Sequence, residues 1–249
     1  MKNSVVTPIA LLSALSALTV SNALAAPANL ELKYFGARGA AETARVILAL
    51  ADAEYTDTRF EIKPGSFDAP EFKKAKESGD LDANLGRAPL LVVDGMHIGQ
   101  SKAIERFLAN KFGFMGDSDI EAAQIDCIAE HCRDVKDAQV KKGFSAFTRD
   151  KTEEEKAESK KEWFETDMPA MLEKLEKAVA LTSGKSGYAF GEKNTYADIA
   201  IFSLIKDCTD EKDTLKAAGN CALLLSIADR VAAESNVSKW IESRPQTMF

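Results

Sequence analysis

The chain has 249 residues, 29% of them charged, with both signs interspersed and a formal net charge of −7 at pH 7. An acidic surface of this kind argues against nucleic acid or an anionic membrane as partner. The four cysteines, Cys127, Cys132, Cys208 and Cys221, show no metal spacing, and His97 and His131 lie too far apart for a triad or metal pattern, so no metal is expected.

Residues 1–25 contain one positive charge at Lys2, an apolar run from Val5 to Val20, and small residues at Ala23 and Ala25. This is the pattern of a cleavable signal peptide. The alternative, an N-terminal anchor, suits it less: the run is shorter than the ~20 residues a bilayer requires, and Pro8 and several serines interrupt it. Cleavage before Ala26 would leave about 224 residues with a net charge of −8 and no stable membrane insertion. The expected location is then the secretory pathway or outside the cell, with the cytoplasm as the alternative.

Asn29 to Lys111 reads β-α-β-α-β-β-α. Leu30 to Phe35 alternates apolar and polar residues as a first strand, and Arg38-Gly39 turns into a helix from Ala40 to Ala51 with Ala44, Ile47, Leu48 and Ala51 on its buried face. Tyr55 to Ile62 reads as a second strand, and Pro70 to Lys76 as a short helix followed by a polar loop to Gly86. Leu90 to Val93, Asp94-Gly95 and Met96 to Gly99 form a hairpin. Gln100 and Ser101 then open an amphipathic helix, with Ser101 as its expected N-cap and a small anion site at its start. A cis bond at Ala88-Pro89 would aim the Ala88 backbone at a ligand.

That order, a backbone edge before proline, a hairpin and a Gln-Ser helix start, resembles the glutathione site of the glutathione transferase family. Tyr34-Phe35-Gly36-Ala37-Arg38-Gly39-Ala40-Ala41-Glu42 is similar to the first-strand segment of its sigma-like members, the group of glutathione-dependent prostaglandin D synthase and the S-crystallins. The resemblance implies a thioredoxin-like α/β domain over residues 29–111, a linker at 112–118 and an all-α domain over 119–249.

It also implies roles. Tyr34 would be the catalytic tyrosine, its phenol stabilising the glutathione thiolate; alone it would read as a strand-end aromatic, but the two downstream motifs favour catalysis. Ala88 and Pro89 would pair with the cysteinyl backbone, and Gln100 and Ser101 would hold the γ-glutamyl carboxylate. Lys73 would hold the glycyl carboxylate, or else be a solvated helix lysine. Asp134 would reach across a homodimer to the γ-glutamyl amine. Arg38 would brace the helix start and the domain interface, with Glu42 as a partner.

Two departures stand out: Ala40 where the family often carries a second arginine, and Ala69 where it often carries tryptophan. Both should weaken glutathione binding or alter catalysis, which leaves three readings: a transferase acting on apolar electrophiles, a fold-retaining binding protein, and an isomerase of the prostaglandin synthase kind.

Beyond the linker the pattern is helical. Asp119 to Phe147 and Thr152 to Leu181 read as a long antiparallel pair, and Thr195-x-x-Asp198 as a capping box opening an apolar helix through Ile205. The electrophile pocket is expected between the Tyr34 loop and the first of these helices, closed by Met248-Phe249. Cys208 and Cys221 could form a disulfide or remain buried thiols.

Overall fold

The computed structural model describes residues 29–63, 66 and 68–247. The leader expected at residues 1–25 and the terminal Met248-Phe249 lie outside them.

Strand β1 (Leu30–Phe35) points Leu30 and Leu32 inward and leads through a 3-10 turn, Gly39–Ala41, into α1 (Glu42–Leu50). Strand β2 (Thr56–Phe60) follows, then α2 (Pro70–Glu77), a second 3-10 turn at Asp82–Asn84, the hairpin β3 (Leu90–Val93) and β4 (Met96–Gly99), and α3 (Ser101–Lys111). The sheet order is β2-β1-β3-β4: β1 runs parallel to β2 and antiparallel to β3, and β3 and β4 are antiparallel. Apolar residues of β1 and β3 meet α1 and α3 on one face through Leu32, Ile47, Leu91 and Ile104. A smaller aromatic cluster covers the other, with Phe35 and Phe72 rings 4.8 Å apart and Phe60 and Phe72 5.6 Å apart.

The helical half starts at α4 (Asp119–Lys142), where the Ser118 side chain accepts from the Glu121 N–H. The expected extension to Phe147 fails, because Gly143 closes the helix in a left-handed conformation at φ +66°. The second long helix is continuous but not uniform. It runs as α5 (Glu153–Glu162), a π-helical turn over Trp163–Asp167, and α6 (Met168–Ser183). The wide turn seats Trp163 and Phe164 in the core beneath an otherwise charged segment. Helices α7 (Tyr196–Ile205), α8 (Glu211–Ala217), α9 (Ala222–Ala233) and α10 (Ser235–Ser243) complete the fold.

All ten residues of α7 are buried, which its apolar sequence permits on every side. Its first turn also ties the two halves together: the Tyr196 N–H donates to the Phe114 carbonyl and its hydroxyl to Glu105 of α3, at 2.9 and 2.6 Å. The four cysteines are free thiols, so Cys208 and Cys221 form no disulfide; Cys208 instead lies 3.4 Å from the Thr214 hydroxyl.

Candidate functional site

Three chain segments converge at one end of the sheet. Lys33 pairs with Leu90, and Leu90 pairs with Gly99. Extending both registers by one residue sets Tyr34, Pro89 and Gln100 in a row across three strands. Pairing of β1 with β3 begins at Leu90, so Ala88 stands outside the ladder, and its bond to Pro89 is cis.

At Gln100 the chain adopts φ +66° and turns from strand into helix within one residue. Gln100 therefore occupies the cap position and Ser101 is the first residue of α3. Ser101 is not the N-cap that its residue type suggests, and no side chain caps this helix. The Ser101 hydroxyl and the first N–H groups of α3 lie at this same end of the sheet, directly after Gln100.

Tyr34 is held on three sides. Its ring meets Phe35 edge-on at 5.4 Å, the Arg45 guanidinium lies 5.9 Å from the ring centroid, and its hydroxyl oxygen accepts the Ala40 N–H at 3.0 Å. A Cβ added at Gly39 would sit 2.6 Å from that oxygen, so only glycine lets the loop close over the phenol. With one lone pair engaged by an N–H, the phenol becomes a stronger donor through its own hydrogen. Such a donor favours a thiolate over a thiol.

Lys73 projects from α2, which packs against β2. Its ammonium is 2.5 Å from Asp68, which also pairs with Lys63 at 2.7 Å; these two cations hold the Asp68 carboxyl down at about 2. Asp134 lies exposed on α4, 3.9 Å from the His131 ring, in the helical half.

The model of the glutathione S-transferase N-terminal domain matches residues 30–110, and that of the C-terminal domain matches residues 138–244. A glutathione S-transferase of Plasmodium falciparum (isolate 3D7) is 30% identical over 227 residues, spanning 89% of this chain and 99% of the relative. The chain belongs to the glutathione S-transferase family. S-crystallin 4 of Enteroctopus dofleini is 26% identical, over 88% of this chain and 98% of its own, a likeness in keeping with a sigma-like transferase. Monomeric Na-GST-3, a glutathione S-transferase of the hookworm Necator americanus, superposes with a TM-score of 0.68 at 31% identity, over 89% of this chain and 100% of its own.

Several residues that shape the transferase's site carry no plain signal in the sequence. Arg45 reads as a polar interruption of α1, yet it is wholly buried. Its guanidinium donates to the Ala37 carbonyl at 2.7 Å, to Glu42 at 3.2 Å and to Asp57 at 3.1 Å, so a fully paired cation pins the loop that carries Arg38 and Ala40. Arg38 does brace the two halves, but its partner is Asp207 at 3.2 Å. The expected pairing with Glu42 assumed continuous α-helix; the 3-10 turn at Gly39–Ala41 breaks that spacing. Glu42 instead accepts from Arg45, Trp240 and Arg244, fastening α10 to α1. Asn84, inside the polar loop before β3, is also buried and joins two segments of the row: its amide donates to the Pro89 carbonyl and accepts from the Gln100 N–H.

Proposed function

We propose that this glutathione transferase binds glutathione along the leading edge of β3 and activates it with Tyr34. The alignment of Tyr34, Pro89 and Gln100 in one row, with the Tyr34 hydroxyl already accepting the Ala40 N–H, carries this reading. The Ala88 peptide groups meet the cysteinyl backbone. Gln100, Ser101 and the N-terminal N–H groups of α3 meet the γ-glutamyl carboxylate, where the helix dipole favours negative charge. Tyr34 donates a hydrogen bond from its phenol O–H to the sulfur, whose own proton leaves to water. A free thiol with a pKa of roughly 8.5 is mostly protonated at neutral pH, so a donor that strengthens with charge on sulfur raises the thiolate fraction. The thiolate bonds to an electrophilic carbon of an apolar compound held between the Tyr34 loop and α4, displacing a leaving group such as halide with its bonding pair, or to a peroxide oxygen, breaking the O–O bond and releasing the alkoxide, a detoxifying reaction.

Lys73 takes the glycyl carboxylate by exchanging one of its contacts to Asp68. Asp134 from a second copy of the chain meets the γ-glutamyl amine in a homodimer. The monomeric hookworm relative makes that assembly a point for direct test by sedimentation at micromolar concentration. Residues 1–25 act as a secretory leader, which mass analysis of the mature N-terminus checks.

A second reading, a glutathione-binding protein with little turnover, is favoured by Ala40 in place of arginine and by the S-crystallin relative. Glutathione titration together with conjugation to a generic aromatic halide separates the two. Binding with turnover supports the transferase reading, binding without turnover supports the second, and no binding overturns both.

A further inference from the structure

We propose that Asn84 is a positioning residue for glutathione, a buried amide that fixes the distance between the Ala88-Pro89 edge and the Gln100-Ser101 helix start. The proposal rests on the glutathione site described above and adds to it a residue from the loop between α2 and β3.

Asn84 is 4% exposed. Its Nδ2 donates to the Pro89 carbonyl at 2.8 Å and its Oδ1 accepts the Gln100 N–H at 3.1 Å. One side-chain amide thus touches both segments with opposite ends, and the two contacts fix its orientation, since a carbonyl needs a donor and an N–H needs an acceptor. The Gln100 backbone, at φ +66°, occupies a region that residues with a Cβ seldom adopt, and the bond from its own N–H to Asn84 anchors it there. The main chain of Asn84 is fixed as well: its N–H donates to Leu81, and its carbonyl accepts the Arg87 N–H, each at 3.0 Å. The approach is close enough that a Cβ at Gly99 would lie 2.7 Å from Asn84 Oδ1.

Glutathione is a single short peptide that must meet Ala88 through its cysteinyl backbone and Gln100-Ser101 through its γ-glutamyl carboxylate. Both contacts form at full strength only when their separation is set before the ligand arrives. Asparagine meets that need with one neutral donor and one neutral acceptor. Aspartate of the same shape keeps the acceptor for Gln100 but turns a negative oxygen toward the Pro89 carbonyl, until a proton restores the donor.

This difference supplies the test. S-methylglutathione, whose blocked sulfur removes thiol titration, is titrated into wild type, Asn84→Asp and Asn84→Ala, with thermal melts confirming the fold. At pH 8 both variants bind about tenfold more weakly, the scale of one lost buried hydrogen bond. At pH 5, Asn84→Asp recovers most of that loss relative to wild type while Asn84→Ala does not, because burial and the Pro89 carbonyl raise the new carboxyl above the ordinary range of about 4. In conjugation assays KM for glutathione rises while kcat at saturating glutathione is nearly unchanged. Should Asn84→Ala fail to fold, Asn84→Asp carries the test. Wild-type affinity in Asn84→Asp at pH 8, or a loss that acid does not reverse, overturns the positioning role. Failure of wild type itself to bind S-methylglutathione overturns the glutathione reading, and the proposal with it.

Discussion

Asp198, at the first turn of the buried helix α7, offers a sharp test of how the helical half is held. Its carboxylate is fully buried and accepts three hydrogen bonds: from the Ala189 N–H at 2.8 Å, the Thr195 N–H at 2.8 Å and the Thr195 hydroxyl at 2.6 Å. Asp198→Ala leaves two backbone donors without an acceptor in a dry site, at about 1–3 kcal/mol each. It also leaves the Thr195 hydroxyl without its acceptor, at about 1 kcal/mol. Against this stands relief from burying a carboxyl, a cost that shows in its raised pKa. The balance is a loss of about 3–4 kcal/mol, and at about 2–4 °C per kcal/mol for a chain of this size the melting temperature falls by roughly 6–16 °C. Thr195→Ala, which removes the hydroxyl's bond to Asp198 and its cap on the first turn of α7, costs about 1 kcal/mol. Denaturant unfolding followed by the fluorescence of Trp163 and Trp240, at fixed protein concentration, measures both. An Asp198→Ala variant within about 1 kcal/mol of wild type, at unchanged m, would show that these buried bonds do not hold α7 in place.

The cysteines and the Asp68 cluster give two further checks. Cys127 is exposed, whereas burial pushes the Cys132 thiol up to about 12 and the Cys221 thiol up to about 11 and also raises Cys208. An aromatic disulfide reagent at pH 8 therefore labels one thiol per native chain rapidly, and Cys127→Ser abolishes that phase; rapid labelling of two or more thiols would contradict the burial pattern. Lys63 and Lys73 hold the Asp68 carboxyl at about 2. A depressed carboxyl contributes stability above its unfolded pKa of about 4 and loses it as the pH falls toward the folded value. Lys73→Ala moves the Asp68 titration upward in a carbon-13 resonance experiment, and a bound glycyl carboxylate that draws on Lys73 moves it the same way. An unchanged titration in Lys73→Ala would show that the pair does not form in solution.

Much of this transferase is legible in its sequence because its strongest features are local. Alternation in Leu30 to Phe35, Asp94-Gly95 between two apolar runs, and Thr195-x-x-Asp198 before an apolar stretch each act over a few residues, and each yields the element its pattern implies. Boundaries drifted where backbone geometry outweighed residue preference. Ser101 is a better cap by type than Gln100, yet the left-handed turn at Gln100 sets the helix start one residue earlier. Arg38 and Glu42 have helical spacing, but a 3-10 turn intervenes. The residues that stabilise the site were hidden for another reason. Arg45, Asp207 and Asn84 resemble ordinary surface polar residues, and only the fold supplies the distant partners that let them be buried. Tyr34 was visible as a residue, but the Ala40 N–H on its hydroxyl was not, because that contact depends on Gly39 folding over the ring.

The pKa of the glutathione thiol in the bound state, followed by thiolate absorbance in wild type and Tyr34→Phe, tests the central claim most directly, with S-methylglutathione binding as the control for the rest of the site. In wild type the bound thiol is expected at least about one pKa unit below the free value of about 8.5. In Tyr34→Phe it returns toward that value, with S-methylglutathione binding retained and conjugation at pH 6.5 reduced about tenfold or more. A bound thiol of the same pKa in both proteins would contradict the assignment of Tyr34 as the residue that makes the nucleophile.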